Sequence, residues 1–339
     1  MGVSQSRYSN ESSGPRRLLD DIRSGETLNQ YIERIVQPDT AYLEKCNRTV
    51  DKLVRFLHEK LTPALRRLSS HQLRNVNVKE ILKSGSLGKS TAVRNKSDID
   101  LILFLNGIET VENLRDLMPT ILRCLRELLN ELVRSPNYPW ARSIRYKKDS
   151  KFAICCILTT TDDYGNEDER EVDLLPAVDI THSESLRRIY DKMDSTDEDS
   201  RRYYSACLSR MQREFVQNAT ASAKVKDLIR LVKIWAKDRQ VPIRSYFVEL
   251  LVIYNQRRHP AQDFEIPDHV KEILVLLSEC ESMRIVFTDK YNPRNYRNTM
   301  NKDQPYLLCP ANPFMNTAPS PADARIVARK AREVLPIFS

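Results

Sequence analysis

The sequence predicts an α+β protein of two lobes, a mixed-sheet lobe followed by a helical one. Three observations carry that prediction. Strand-like apolar runs, several of them bearing carboxylates, precede residue 182, and segments of helical spacing follow it. A chain of 339 residues can bury a large core and usually divides into two lobes. Only 7 residues are glycine, which argues against a turn-rich all-β fold and against glycine-based dinucleotide fingerprints.

Residues 1–37 are polar and read as a flexible N-terminal arm with one short helix near 27–36. Met1-Gly2-Val3-Ser4-Gln5-Ser6 fits the myristoylation pattern at Gly2. One acyl chain gives only marginal, reversible membrane affinity, which Arg7, Arg16 and Arg17 could reinforce. The start lacks the apolar core of a secretory signal, and no apolar run is long enough to span a bilayer. The expectation is a soluble cytoplasmic protein, partly membrane-associated if Gly2 is acylated.

Residues 38–182 make the first lobe. Leu43, Cys46, Val50, Leu53, Leu57 and Leu61 recur at helical spacing over 39–68, in a long helix interrupted or re-angled at Pro63. A β-rich run, 78–83, and a strand, 98–105, flank Gly85-Ser86-Leu87-Gly88-Lys89-Ser90-Thr91. Residues 110–134 are an amphipathic helix. Runs 142–147, 151–159 and 171–175 read as strands, with Asp162, Asp163, Asp168 and Glu169 in a solvated turn. Residues 183–339 make the helical lobe, with helices near 183–193, 199–217, 222–239, 244–257, 267–280 and 321–334.

Composition narrows the chemistry. The balance of 54 Lys plus Arg against 46 Asp plus Glu gives +8, a hint of a polyanionic partner but diffuse. The seven cysteines include no CxxC pair, and Cys155 and Cys156 point to opposite faces if strand-borne. A zinc ribbon or disulfide framework is therefore not expected.

GSLGKST is not a P-loop, because Lys83 stands where the Walker pattern needs its first glycine. It remains a small-residue turn whose amides and Ser86 hydroxyl suit a phosphate. Asp98 and Asp100, two apart, share a face if strand-borne, and two such carboxylates repel each other without a counter-charge. A divalent cation, preferably Mg2+, is the natural one. Asp173, in the apolar strand Glu171-Val172-Asp173-Leu174-Leu175, supplies a third carboxylate, with Glu171 and Asp179 as rivals. Three carboxylates could hold two metal ions, and Asp173 could also take a proton from an attacking hydroxyl.

The order GS, D-x-D, then a lone Asp on a later strand resembles the polymerase-β-like nucleotidyltransferases. GSLGKSTAVRNKSDIDLILFL, EVDLLPAVD, MQREFV, KVKDLIRLVKIW and YFVELLVIY, in that order, closely resemble blocks of the 2′-5′-oligoadenylate synthetases. The resemblance implies the bilobal fold and a transfer of ATP through 2′-5′ linkages with release of pyrophosphate. By the same resemblance Asp98, Asp100 and Asp173 would hold two Mg2+ ions, with Mn2+ as a substitute. Gly85, Ser86 and Lys233 would meet the donor triphosphate, and Ser245 and Tyr246 would lie beside the donor base.

The family is activated by double-stranded RNA, and its RNA-facing basic positions fall on Lys83, Lys89, Arg213 and Lys224. Duplex RNA is read mostly by shape, through phosphates and 2′-hydroxyls. Ser245 replaces a family Gln, Gln217 a Lys, and Cys309 and Asn312 two Asp residues. The Ser245 change keeps open a cyclic GMP-AMP synthase-like receptor making a cyclic dinucleotide. An RNA-binding pseudoenzyme is a third reading, which the intact aspartates disfavour.

Overall fold

A computed structural model describes residues 23, 25–67, 73–94, 98–147, 149–162, 164–259, 265–296 and 305–338. The candidate acylation site, Gly2, lies outside the described residues. Five strands form the main sheet: β1 (Asn77–Lys83), β2 (Ile99–Asn106), β3 (Ala141–Tyr146), β4 (Ile154–Thr161) and β5 (Glu167–Ala177). Their spatial order is β1-β2-β5-β4-β3, with β2 and β5 parallel and the other pairs antiparallel. The sheet is mixed, as expected.

Two long helices cover one face of this sheet. The first, Thr40–Arg67, buries Val50, Leu53, Leu57, Leu61 and Leu65. Of the two expectations at Pro63, an interruption is ruled out, since the helix continues to Arg67; the missing N–H removes one hydrogen bond but the apolar stripe continues on both sides. The second, Val111–Arg134, is capped by the Thr110 hydroxyl, which accepts from the Asn113 N–H.

Strand β5 is longer than expected, and Asp168 and Glu169 lie inside it rather than in the turn. The acids tolerate the strand because cations on β3 and just beyond it answer them: Arg145 lies 3.6 Å from Glu169, Arg142 lies 4.0 Å from Glu167, and Lys147, the residue after β3, pairs with Glu171. Asp168 instead accepts from Arg170 Nε at 2.6 Å.

The helical part is built on Ser209–Ala219, Ala223–Asp238, Ser245–Arg258, Ile266–Ser278 and Pro321–Val334. The expected helix over 199–217 is broken into three pieces, Glu198–Arg201, Tyr204–Cys207 and Ser209–Ala219. A small second sheet joins β6 (Arg284–Ile285), β7 (Tyr306–Cys309) and β8 (Asn312–Asn316). Pro310 before β8 and Pro313 within it hide the strand from a propensity reading.

Two cores result, and they trade segments. Ile189, Tyr190, Tyr203, Tyr204 and Leu208 pack into the sheet's core although they follow residue 183. Conversely Tyr31, Ile32 and Val36, expected within the loose arm, are buried with Trp235, Phe247 and Val327 in the helical core. Burying three such side chains contributes about 1.5–3 kcal/mol each, enough to anchor this end of the arm. Val93 also enters the helical core, tying the segment after the GSLGKST turn to the other lobe. No described helix is long and apolar enough to cross a membrane.

Candidate active site

The site grows from the junction of β1 and β2. After Lys83 the chain turns through a single helical turn, Gly85–Gly88, and returns along β2. The Ser84 N–H donates to the Asp100 carbonyl at 2.8 Å, which lays the turn against the carboxylate strand. Gly85 has φ +58°, and a Cβ there would fall 1.7 Å from Asp100 Oδ2. Only glycine lets the turn lie flush on that carboxylate. Gly85→Ala should therefore displace the turn or Asp100 and cut turnover about a hundredfold or more, since misplacing a reactive geometry by about 1 Å has that effect. Steady-state rates on protein with an unchanged circular dichroism spectrum check it.

The three carboxylates are placed as follows. Asp98 sits in the coil just before β2 rather than on the strand. Asp100 and Asp173 are register partners across the parallel β2–β5 pair. Burial lifts all three carboxyls above the ordinary range. Asp100, the deepest, is pushed up to about 6, with repulsion from Asp173 and Asp98 adding to burial. The Cys155 thiol, opposite Asp173 in the β4–β5 register, donates to it and pulls it partly back. Cys156 points the other way into the core, as the alternation required.

Like charges held close and half-dry form the donor set that a hard divalent cation neutralises. Among the described residues, no three acids, histidines or cysteines stand close enough to cage a metal as they are. Asp98, Asp100 and Asp173 fit Mg2+ in the chemistry of their donors, hard carboxylate oxygens, but do not converge on one point.

A cleft of about 260 Å³ opens beside these acids, lined among others by Ser86, Asp98, Lys233, Lys237 and Ser245. The structure thus brings Ser86, Asp98, Lys233 and Ser245 to one cavity. Lys237 was not singled out from the sequence; it stands one helical turn beyond Lys233, and its charge favours ionised Asp98. That spacing was the available signal.

Lys89 is corrected by the structure. Expected on the RNA face, it is 7% exposed, with Nζ 2.9 Å from Glu249 Oε2 and 4.1 Å from the centre of the Tyr246 ring. Glu249 also accepts from Lys233 at 2.6 Å and from the Thr91 hydroxyl at 2.6 Å. Lys233 is therefore committed to a buried network on the cleft wall, and its Nζ also donates to Thr91 Oγ1 at 3.0 Å. Tyr246 turns its ring to Lys89 and its hydroxyl to Cys309 Sγ at 3.2 Å, rather than to the open cleft; Ser245 takes the wall position. Arg230 adds donations to the Ser90 and Ala92 carbonyls, both at 2.9 Å. The loop after the turn is thus bolted to the helical lobe.

The other basic positions lie elsewhere. Lys83 Nζ donates to Asn47 at 2.6 Å. Arg213 NH1 donates to the Lys83 carbonyl at 3.3 Å, and Gln217 Nε2 donates to the Gly88 carbonyl at 2.8 Å. Lys224 is exposed at the start of its helix, 3.6 Å from Glu265.

Residues 183–338 match the family model described as 2′-5′-oligoadenylate synthetase 1, domain 2, C-terminus. The 2′-5′-oligoadenylate synthase 1A of Mus musculus is 26% identical over 325 residues, which cover 86% of this chain and 82% of that protein. This chain is related to the 2′-5′-oligoadenylate synthetases. The 2′-5′-oligoadenylate synthase 2 of Rattus norvegicus is 24% identical over 315 residues, 86% of this chain but only 41% of that longer protein. The fold is shared more widely. CdnC of E. coli MS115-1, solved with ATP, has a TM-score of 0.57 at 19% identity, over 90% of this chain and 87% of that one. The likeness to CdnC is one of fold, and it extends over both the sheet that carries the acids and the helices that follow.

Proposed function

We propose that the protein is a double-stranded-RNA-activated 2′-5′-oligoadenylate synthetase using ATP and Mg2+. The observation that carries this reading is the in-register pair Asp100–Asp173 with the Gly85–Ser86 turn pressed against Asp100. In this reading the backbone amides of the turn and the Ser86 hydroxyl bind the donor phosphates. An Asp173 carboxylate oxygen takes the proton of the acceptor 2′-hydroxyl, whose oxygen bonds to the donor α-phosphorus as pyrophosphate leaves. Mg2+ held by Asp98, Asp100 and Asp173 would neutralise the phosphates and acidify that hydroxyl.

The path from RNA to chemistry is short. Arg213 and Gln217, one turn apart on the same helix, donate to the carbonyls of Lys83 and Gly88, which bracket the catalytic turn. A duplex gripped by Lys83, Arg213 and Lys224 would press directly on that turn, which lies against Asp100. Gln217 fits such a relay as a neutral hydrogen-bonding strut where the family has a cation. Arg213→Glu should weaken RNA activation in a salt-dependent way, read as a right-shift of the RNA titration that grows between low and physiological salt.

Pyrophosphate release from each nucleotide, with and without duplex RNA and Mg2+, tests the reading. Consumption of ATP that rises with RNA supports it. A second reading, a cyclic dinucleotide, is favoured by Ser245 on the cleft wall in place of Gln. It would show as consumption that requires two different nucleotides together. The cytoplasm is the compartment this activity fits.

A further inference from the structure

The sheet face that carries Asp100 and Asp173 holds a row of side chains that ends in a cation. Asp100 on β2 is register partner to Asp173 on β5, and Asp173 to Cys155 on β4. Lys147, the residue after β3, extends the row: its N–H donates to the Cys155 carbonyl at 2.9 Å, just beyond the Tyr146–Cys156 pair. Register partners share a face, so Lys147, Cys155, Asp173 and Asp100 stand side by side. Two strand spacings, about 10 Å, separate the backbones of Lys147 and Asp173. A four-carbon lysine stem and an aspartate side chain together bridge that distance across the small Cys155.

In the structure the Lys147 ammonium pairs instead with Glu171. Glu171 lies two residues before Asp173 on the same face of β5, about 7 Å along the strand. Both members of the pair are partly exposed, so the lysine is free to change partners. Its charge already reaches the site: it favours the ionised forms of Asp98 and Asp173, which Glu171 disfavours. An ammonium and a divalent cation compete for the same carboxylate oxygens. A lysine anchored on the neighbouring strand competes at an effective concentration that free metal must exceed. Lys147 thus has two acceptors within reach on β5, and its choice decides whether Asp173 is open to a metal ion.

We infer that Glu171 is a positioning residue: it draws the Lys147 ammonium off Asp173 and Asp98 and so leaves the acid cluster to a divalent cation. The inference rests on the metal-dependent reading above and deepens it. It separates Glu171 from the three aspartates, as an acid that acts through a lysine rather than on the metal.

The test titrates Mn2+ into the full chain, alone and with an ATP analogue that cannot transfer, and reads free Mn2+ by electron paramagnetic resonance. The unmodified chain, Glu171→Gln, Lys147→Met and the double variant form a cycle, with Asp100→Asn to mark the binding that belongs to the site. Glu171→Gln should weaken site binding about tenfold, because it releases the ammonium onto the aspartates. In the Lys147→Met background the same change should weaken it less than about threefold, the loss of one partly exposed charge. Lys147→Met alone should hold or tighten binding. It should therefore rescue Glu171→Gln, which a fault in folding would not allow. An equal loss in both backgrounds would mean that Glu171 acts through its own charge or as a ligand, and would overturn the inference, as would no loss in Glu171→Gln. Either result leaves the metal site standing, provided Asp100→Asn still removes it. Mn2+ binding that Asp100→Asn does not change removes the metal reading and the inference with it.

Discussion

Asp173→Asn should lower product formation by about a thousandfold or more while leaving the affinity for duplex RNA within about twofold of the unmodified protein. The side chain keeps its shape but loses the charge that faces Asp100 across the sheet and the base that receives the hydroxyl proton. General-base removal alone accounts for about 10²–10⁴-fold, and loss of a cation ligand adds to it. The effect on folding runs the other way. Asp173 is half-buried among like charges, so the neutral amide relieves repulsion and Tm should hold or rise. Paired RNA-binding and pyrophosphate-release measurements check both halves. RNA binding lost together with activity would mean that Asp173 holds the fold rather than the reaction.

The second large effect is expected at Glu249. Its carboxylate is 1% exposed and takes two ammoniums, Lys89 and Lys233, and the Thr91 hydroxyl. Removing it strands two like charges in the interior beside Arg230. Glu249→Gln should destabilise the protein by about 3–5 kcal/mol, the penalty of breaking a buried pair from one side. It should also loosen the loop carrying Thr91 from the helical lobe. Urea unfolding gives the first quantity and proteolysis near residue 90 the second.

The same network sets a pH signature. The two ammoniums, against the opposing effect of burial, hold the Glu249 carboxyl down to about 2 from its ordinary 4.5. A folded-state value below the unfolded one contributes stability that is complete above about pH 4.5 and is lost as pH falls through about 2. The unmodified chain should therefore lose stability over that window, and Glu249→Gln should lack this component.

The acids of the site were legible because strand alternation places charges clearly: Asp100 and Asp173 each stand between buried apolar neighbours, Ile99 and Leu101, Val172 and Leu174. Gly85 was legible through the family resemblance alone; that it must be glycine follows from its positive φ and its closeness to Asp100, which only the fold shows. Lys89 was not. Its sequence neighbours give no hint that Glu249, in a distant helix, would draw it inside, and a charge that ends in a buried pair reads like one that faces solvent. Asp168 and Glu169 misled in the opposite sense. Their charge density suggested a turn, but Glu169 is answered by Arg145 on another strand, a neighbour only in the sheet, and Asp168 by Arg170 two residues on along β5. The end of the arm hid its role because Tyr31, Ile32 and Val36 find their core among residues about two hundred positions later.

The most direct measurement is the linkage of the product made from ATP with duplex RNA and Mg2+. A ladder of oligoadenylates that resists nuclease specific for 3′-5′ linkages, and that disappears in Asp173→Asn, is the expected result. A nuclease-sensitive ladder, a single phosphatase-resistant product from mixed nucleotides, or no product with any nucleotide would contradict it.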